Sequence, residues 1–171
     1  MGLFNKLLNK GAAKEPAPVC EPMTVYAPAG GTVIPLEQFP DEMFSQEVLG
    51  PGCGIQPSGD TVTAPFNGEV SQVVDTMHAI GVMSSDGLEV LIHVGVDTVE
   101  MNGRGFRTLV KQGQKVNRGC PLISFDRKEI KAAGHPDAIA VIVTNGDEFS
   151  GVELIASGDI AAGNAILRVK K

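Results

Sequence analysis

One ten-residue pattern occurs twice in the first half of the chain and limits the folds that the chain can adopt. The segment Thr24–Val33 (TVYAPAGGTV) returns as Thr61–Val70 (TVTAPFNGEV). A second, looser pair is formed by Gly113–Ile123 and Gly158–Leu167, the latter one residue shorter. Because each pattern occurs only twice, the arrangement favours a duplicated sandwich over a solenoid. The Ala-Pro of each first-pattern copy is expected at a strand margin and its glycine at a turn.

The rest of the chain alternates between short β-like segments and turn residues. Polar and apolar residues alternate over Glu69–Val74, and Ala138–Val143 (AIAVIV) is a short apolar run. The chain has 21 Gly, 11 Pro and no Trp. Helix signals are short, covering Phe106–Gln112 before Gly113 and Arg127–Ala133 before Gly134. We therefore predict an all-β fold, an antiparallel β-sandwich built on a duplicated repeat of the hybrid-motif type, with one or two short helical turns.

The sequence divides into an N-terminal segment, residues 1–22, and one domain, residues 23–171. The N-terminal segment contains Pro16-Ala17-Pro18 and has two interpretations. It is an amphipathic helix that makes weak contact with an anionic membrane surface, or it is a flexible tether. The apolar side chains that would share a helical face are Leu3, Phe4, Leu7 and Leu8, with Lys6 and Lys10 beside them.

Charge and cysteine content exclude several classes of function. The formal net charge of −6 argues against nucleic-acid binding, which needs a basic surface, and favours a basic protein partner. The three cysteines, Cys20, Cys53 and Cys120, are widely spaced and contain no Cys-x-x-Cys, so neither a disulfide framework nor a structural zinc site is expected. No signal peptide or run of transmembrane length is visible, which predicts a cytoplasmic protein.

A histidine lies inside the apolar run Gly87–Val99 (GLEVLIHVGVDTV), which is typical of a buried strand. A buried imidazole needs a partner. A neutral core histidine bonded to a backbone carbonyl is one interpretation of His93. A second histidine, His78, precedes the turn Ser84–Gly87. If the hairpin closes at Asp86-Gly87, positions whose numbers sum to about 172 lie opposite each other, which brings His78 within a residue of His93.

Two adjacent imidazoles can carry out nucleophilic chemistry. Double protonation is disfavoured, so at least one ring stays neutral near pH 7 and offers a nitrogen that can carry a phosphoryl group. The second imidazole, once protonated, would stabilise the added charge. Thr76 could hold the His78 ring, and the Gly95 carbonyl could hold the His93 ring.

These residues resemble the glucose-class IIA proteins of the bacterial phosphoenolpyruvate-dependent sugar phosphotransferase system. The pattern of Gly87–Val99 is similar to the phosphorylation-site pattern of that family: a histidine in a hydrophobic strand, then Gly, an apolar residue, a variable position and Thr. The likeness continues through Asp75–His78, Phe39–Asp41 and Val99–Phe106 and covers nearly all of the chain after residue 23. The opening Met1-Gly2-Leu3-Phe4 resembles that of the free-standing form.

The resemblance implies a phosphotransferase with a phosphohistidine intermediate. His93 would accept the phosphoryl group at Nε2 from the histidine phosphocarrier HPr and pass it to a cysteine of a IIB permease domain for sugar uptake. His78 would stabilise the phosphohistidine, with Thr76 as its orienting residue. No cofactor is required.

The resemblance also implies a partner-binding face around the histidines. Val74 and Leu91 replace two phenylalanines of the family, so the face stays apolar but loses aromatic shape that regulatory target proteins would recognise. The predicted partner-binding residues are Asp41, Phe44, Val74, Leu91, Gly95 and Asp97.

Two other functions fit parts of the sequence. His93-Val94-Gly95-Val96-Asp97 fits the His-x-Gly-x-Asp element of zinc peptidases of this fold type, but the further His-x-His is missing among only three histidines. A weaker form remains, in which His78 and His93 bind zinc with a ligand from a partner. A biotinyl or lipoyl carrier needs a hairpin lysine, and no lysine occurs between Lys14 and Lys111.

Overall fold

The structure, a computed structural model, describes residues 18–171. The amphipathic segment predicted at residues 3–8 lies outside that range. The first described residues are held against the strands: Asn67 Nδ2 donates to the Pro18 carbonyl at 2.8 Å, and the Glu21 N–H donates to the Tyr26 hydroxyl at 2.9 Å. In residues 18–171 there is no helix with the length and apolar character needed to cross a membrane.

The described chain is mostly short strands. It contains fourteen strands, two α-helices and three 3-10 turns, the latter at Leu36–Gln38, Thr98–Met101 and Gly146–Glu148. The helices are α1 (Glu42–Ser45) and α2 (Arg127–Ala132). The strands are β1 (Thr24–Tyr26), β2 (Gly31–Pro35), β3 (Gly52–Pro57), β4 (Thr61–Thr63), β5 (Gly68–Val73), β6 (Ala79–Ser84), β7 (Glu89–Val94), β8 (Phe106–Thr108), β9 (Lys115–Val116), β10 (Pro121–Phe125), β11 (Ile139–Val143), β12 (Gly151–Leu154), β13 (Asp159–Ile160) and β14 (Ala165–Lys170).

The strands form three sheets in which every pairing is antiparallel. The largest has the order β13-β2-β3-β11-β7-β6-β5-β9, and the two smaller ones are β1-β14-β12 and β4-β10-β8. Apolar side chains from all three sheets bury one another in the main core. The predicted all-β antiparallel sandwich with one or two short helical turns is confirmed.

The duplicated sequence pattern corresponds to a duplicated structure. In each copy a short strand, β1 or β4, passes through Ala-Pro into a longer strand, β2 or β5. The two copies exchange hydrogen bonds at equivalent positions: the Tyr26 N–H donates to the Pro65 carbonyl at 2.9 Å, and the Thr63 N–H donates to the Pro28 carbonyl at 2.8 Å. Each repeat therefore satisfies backbone groups of the other.

The central sheet is apolar on both faces near β7. One face contributes Ile92, Val94 and their neighbours to the main core. The opposite face carries a smaller cluster that we call the outer cluster, and the 3-10 turn after β2 and helix α1 close over it. Its buried members are Leu36, Phe39, Phe44, Val96, Ala138, Ala140 and Ile142.

One of the two predicted helices is confirmed and the other is wrong. Helix α2 occupies Arg127–Ala132, with Asp126 accepting from two backbone N–H groups at its start. Residues Phe106–Thr108 instead form β8, because Phe106 pairs with Phe125 of β10 and the sheet satisfies its backbone. Helix α1 was not predicted. Asp41 caps it by accepting from the Met43 N–H at 2.8 Å.

Replacing the repeat glycine Gly68 tests the close approach of strands at that point. A Cβ there would lie 2.1 Å from the Met83 carbonyl oxygen, a backbone atom that cannot move independently. We expect Gly68→Ala to lower the free energy of unfolding by about 2 kcal/mol, as overpacking does. Urea unfolding measures it. The control is Gly151→Ala, also at a strand start, where nothing lies within 4 Å; equal losses in both variants would contradict the steric explanation.

Candidate phosphotransfer site

The β6–β7 hairpin brings the two predicted histidines together. Ala79 lies opposite His93, as the expected sum of 172 requires, and the Val94 N–H donates to the His78 carbonyl at 2.8 Å. The two imidazole centroids are 4.7 Å apart and the ring planes are nearly perpendicular at 86°. The predicted contact between His78 and His93 is therefore present.

The His93 ring is fixed by a backbone carbonyl. Its Nδ1 lies 2.9 Å from the Gly95 oxygen, which can only accept, so Nδ1 carries the hydrogen and Nε2 has the lone pair in the neutral ring. Gly95 has a φ of +79°, and a Cβ there would lie 2.4 Å from Thr98 Cγ2. Glycine is needed for the turn that aims this carbonyl back at the ring.

His78 is fixed from the other side of the pair. Thr76 Oγ1 lies 2.8 Å from its Nδ1, which leaves Nε2 for the neighbouring site. The residue is 6% exposed, and its ring packs against Phe106 at a centroid distance of 6.4 Å. Each histidine thus has one nitrogen bonded to a local partner and one nitrogen without such a bond among the described residues.

Burial favours the neutral form of both rings, and other groups then act on each ring differently. It lowers the pKa of His78 to about 4, with a smaller contribution from the neighbouring His93. Burial also lowers the pKa of His93, but the Gly95 hydrogen bond and the charges of Asp41 and Asp97 act in the opposite direction. Positive charge is therefore better tolerated on the His93 ring than its burial alone would allow.

The two carboxylates that act on His93 come from different segments of the chain. Asp41 is half-buried at the start of α1, and Asp97 is exposed at a left-handed turn with a φ of 58°. Val74 and Leu91 are half-buried. Phe44 is buried with its ring 5.0 Å from His93. The partner-binding roles of these residues stay predictions.

The sequence did not identify several residues that support His93. The register places His93 in one row across the central sheet, in the order Ala79, His93, Ala140, Gly54 and Ile34. A Cβ on Gly54 would lie 2.5 Å from Phe39 Cδ2, and the Phe39 ring lies 5.4 Å from that of Phe44. Only the strand register reveals that these small residues stand beside His93.

The structure contains no intrachain zinc site of the peptidase kind within residues 18–171, since no three His, Cys, Asp or Glu side chains converge there. His135, the third histidine, instead faces Glu100 at 3.8 Å. Neither histidine of the pair lines the prominent cavity of about 830 Å³, which lies elsewhere. A partly exposed histidine on a shallow face is suited to a protein donor, because a docked protein surface can enclose the reacting atoms.

The all-β fold and the adjacent histidines are typical of proteins that transfer phosphoryl groups to other proteins. Comparison with known proteins agrees with this class. Residues 23–149 match the family model of the phosphoenolpyruvate-dependent sugar phosphotransferase system, EIIA 1. The chain belongs to this family and is a phosphotransferase-system component of sugar transport.

Three relatives indicate the extent of the similarity. The glucose-specific EIIA component of Halalkalibacterium halodurans is 40% identical over 96% of this chain and 96% of its own length. The glucose-specific EIICBA component of Streptococcus pneumoniae is 40% identical over 85% of this chain, which spans only 20% of that longer protein. The glucose permease IIA of Mycoplasma capricolum superposes with a TM-score of 0.75 at 33% identity, over 84% of this chain and 93% of its own.

The burial of neutral His78 predicts a pH-dependent stability. The folded pKa of about 4 is below the ordinary value of 6.5, so the unfolded chain binds a proton that the folded chain does not as the pH falls from 6.5 towards 4. This reduces the free energy of unfolding between pH 7.5 and 5 by about 1–2 kcal/mol, after allowance for solvent screening. His78→Gln should lose much less stability over that range in urea unfolding.

The control for this measurement is His135→Gln, which removes a histidine outside the pair. Unfolding of this variant over the same pH range gives the baseline against which the effect of His78→Gln is judged. A His78→Gln protein as sensitive to acid as the wild type would show that other groups, and not His78, cause the loss.

Proposed function

We propose that His93 Nε2 is the phosphoryl acceptor of this protein, receiving the group from the histidine phosphocarrier HPr and passing it to a cysteine of a IIB domain. The observation that carries the proposal is the hydrogen bond from His93 Nδ1 to the Gly95 carbonyl, which leaves the Nε2 lone pair available beside His78. The names of the relatives support glucose as the transported sugar.

Each transfer exchanges one bond to phosphorus for another. In the first step Nε2 of His93 attacks, the N–P bond of phospho-HPr breaks, and the electron pair returns to the donor imidazole. Because His93 keeps its Nδ1 hydrogen, its phosphorylated ring carries positive charge. The Gly95 carbonyl and the carboxylates of Asp41 and Asp97 stabilise that charge.

His78 acts on the phosphoryl oxygens. The arriving group brings about two negative charges next to a ring that is neutral before transfer, and this favours protonation of His78. Protonated His78, oriented by Thr76, then donates from Nε2 to a phosphoryl oxygen. In the second step a IIB cysteine thiolate attacks phosphorus and His93 leaves as a neutral imidazole. The protein mainly positions groups and balances charge.

Docking uses the face around the histidines. Phe44, Leu91 and Val74 provide its apolar part, and Asp41 and Asp97 provide negative charge for basic side chains of a partner. Near α1 the face continues into the half-exposed Met43.

Zinc bound by His78 and His93 would need further ligands from a partner, and such a site shared between two proteins stays a prediction. We place the protein in the cytoplasm, where phosphoenolpyruvate is formed.

Label transfer tests the acceptor directly. With labelled phosphoenolpyruvate, enzyme I and HPr, wild type should take up acid-labile, base-stable label, and His93→Ala should take up none. His135→Ala is the matched control, because it removes the histidine that lies outside the pair, and it should accept label at the wild-type rate. Label on His93→Ala, or none on wild type with an active HPr, contradicts the proposal.

A variant of Thr76 can distinguish phosphoryl acceptance from HPr from phosphoryl donation to IIB. Thr76→Val removes the hydrogen bond to His78 Nδ1, so we expect acceptance from HPr within about twofold of wild type and donation to IIB slower by about tenfold, equivalent to about 1.4 kcal/mol. His78→Gln should show the same separation more strongly. Single-turnover transfer to purified IIB measures the rate. Thr61→Val, on β4, is the control and should donate to IIB at the wild-type rate. If Thr76→Val also donates at the wild-type rate, Thr76 does not orient His78.

A further inference from the structure

A cavity of about 830 Å³ lies apart from the histidine face, between α2, the ends of β8 and β10 and the turn before β4. Phe106 and Phe125, both largely buried in the main core, form part of its wall, and the Phe106 ring also packs against His78. The hydroxyl groups of Ser58 and Ser124 add neutral hydrogen-bonding groups. Its volume is within the range of sites that hold small organic molecules, about 300–1,000 Å³.

The charge of this cavity is opposite to that of the protein. Four cationic side chains line it in a chain whose formal net charge is −6. Two carboxylates also line it. Asp126 is occupied, since its Oδ1 accepts from the Lys128 and Glu129 N–H groups at 3.0 and 3.1 Å; Asp60 remains exposed at the rim. The cations are Arg107, Arg127, Lys128 and Lys131.

Much of the cationic hydrogen-bonding capacity is unused within residues 18–171. Arg107 and Lys128 form no ion pair there. Arg127 gives only Nε to Asp137, at 2.8 Å, and this leaves both Nη groups for another acceptor. Lys131 lies 3.7 Å from the same carboxylate.

Asp137 holds Arg127 in place. Asp137 is 3% exposed, and Gln56 Nε2 donates to its second oxygen at 2.9 Å. The Asp137 carboxylate therefore accepts hydrogen bonds from Gln56 and Arg127 and also faces Lys131, and it anchors the guanidinium of Arg127. An anchored guanidinium loses less freedom on binding an anion than a free surface side chain does.

We propose that this cavity binds a small organic phosphate, with the anionic group held by Arg107, Arg127 and Lys128 and the organic part against Phe106 and Phe125. Arginine forks match phosphate oxygens in geometry and charge. The hydroxyl groups of Ser58 and Ser124 and the wall that includes Phe106 and Phe125 leave room for an organic group that inorganic phosphate lacks. The proposal is independent of the role of His93.

Titration of the full ¹⁵N-labelled chain with ADP, compared with inorganic phosphate, tests the proposal by NMR. ADP should shift the amide signals of Arg107, Ser124 and Lys128 in a saturable way, and inorganic phosphate should bind at least tenfold more weakly. The double variant Arg107→Gln/Lys128→Gln should weaken ADP binding at least tenfold. The control Lys111→Gln/Arg168→Gln, which removes one lysine and one arginine outside the cavity, should stay within about twofold.

Three outcomes overturn the proposal. One is the absence of saturable shifts at the cavity amides of the wild type, a result that does not depend on how the variants fold. Another is an equal loss in the control double variant, which would indicate binding through net charge alone. The last is a loss of the shifts in His93→Ala, which would place ADP at the histidine face; retained shifts in that variant support a separate cavity site.

Discussion

The geometry of the site depends on the small size of the residues that lie beside His93 in the central sheet. Along the row that crosses the central sheet, Ala140 and Gly54 are the neighbours of His93, and their small size allows Phe39 and Phe44 to lie over the sheet. Phe44 then packs against the imidazole, and Asp41 at the start of α1 is brought near it. A larger residue at Gly54 would displace Phe39 first and, through Phe44, the wall of the site.

The same arrangement reconciles two opposed electrostatic requirements. In the proposed transfer, the accepting ring must be neutral to act as a nucleophile, yet it becomes positively charged when it holds the phosphoryl group. Burial satisfies the first requirement for both histidines. The second is met only at His93, where a carbonyl and two carboxylates favour the charged ring, whereas His78 has burial and its neighbour acting against protonation until an anion arrives. Unequal surroundings thus act differently on the pKa values of two identical side chains.

Local patterns were sufficient for the features that depend on near neighbours in sequence. The turn at Ser84–Gly87 determines the register of the β6–β7 hairpin, and that register predicted the contact between His78 and His93. The repeat predicted the duplicated sandwich. Phe106–Gln112 was misassigned as a helix because pairing with β10, a distant segment, decides its conformation. Long-range packing also explains why Phe39, Gly54 and Ala140 were missed: nothing local to them indicates that they surround a histidine on another strand.

The exchange of hydrogen bonds between the two repeats, together with the pairing of β1 and β14, has a consequence for biosynthesis. Thr24 pairs with Arg168, and β14 also carries β12. Strand β1 therefore has no sheet partner until nearly all of the domain has left the ribosome. A fold dominated by such distant pairings closes late and slowly compared with a helical bundle of similar size. During synthesis β1 emerges as an unpaired strand, a stage at which nascent β-proteins are exposed to aggregation and to chaperone binding.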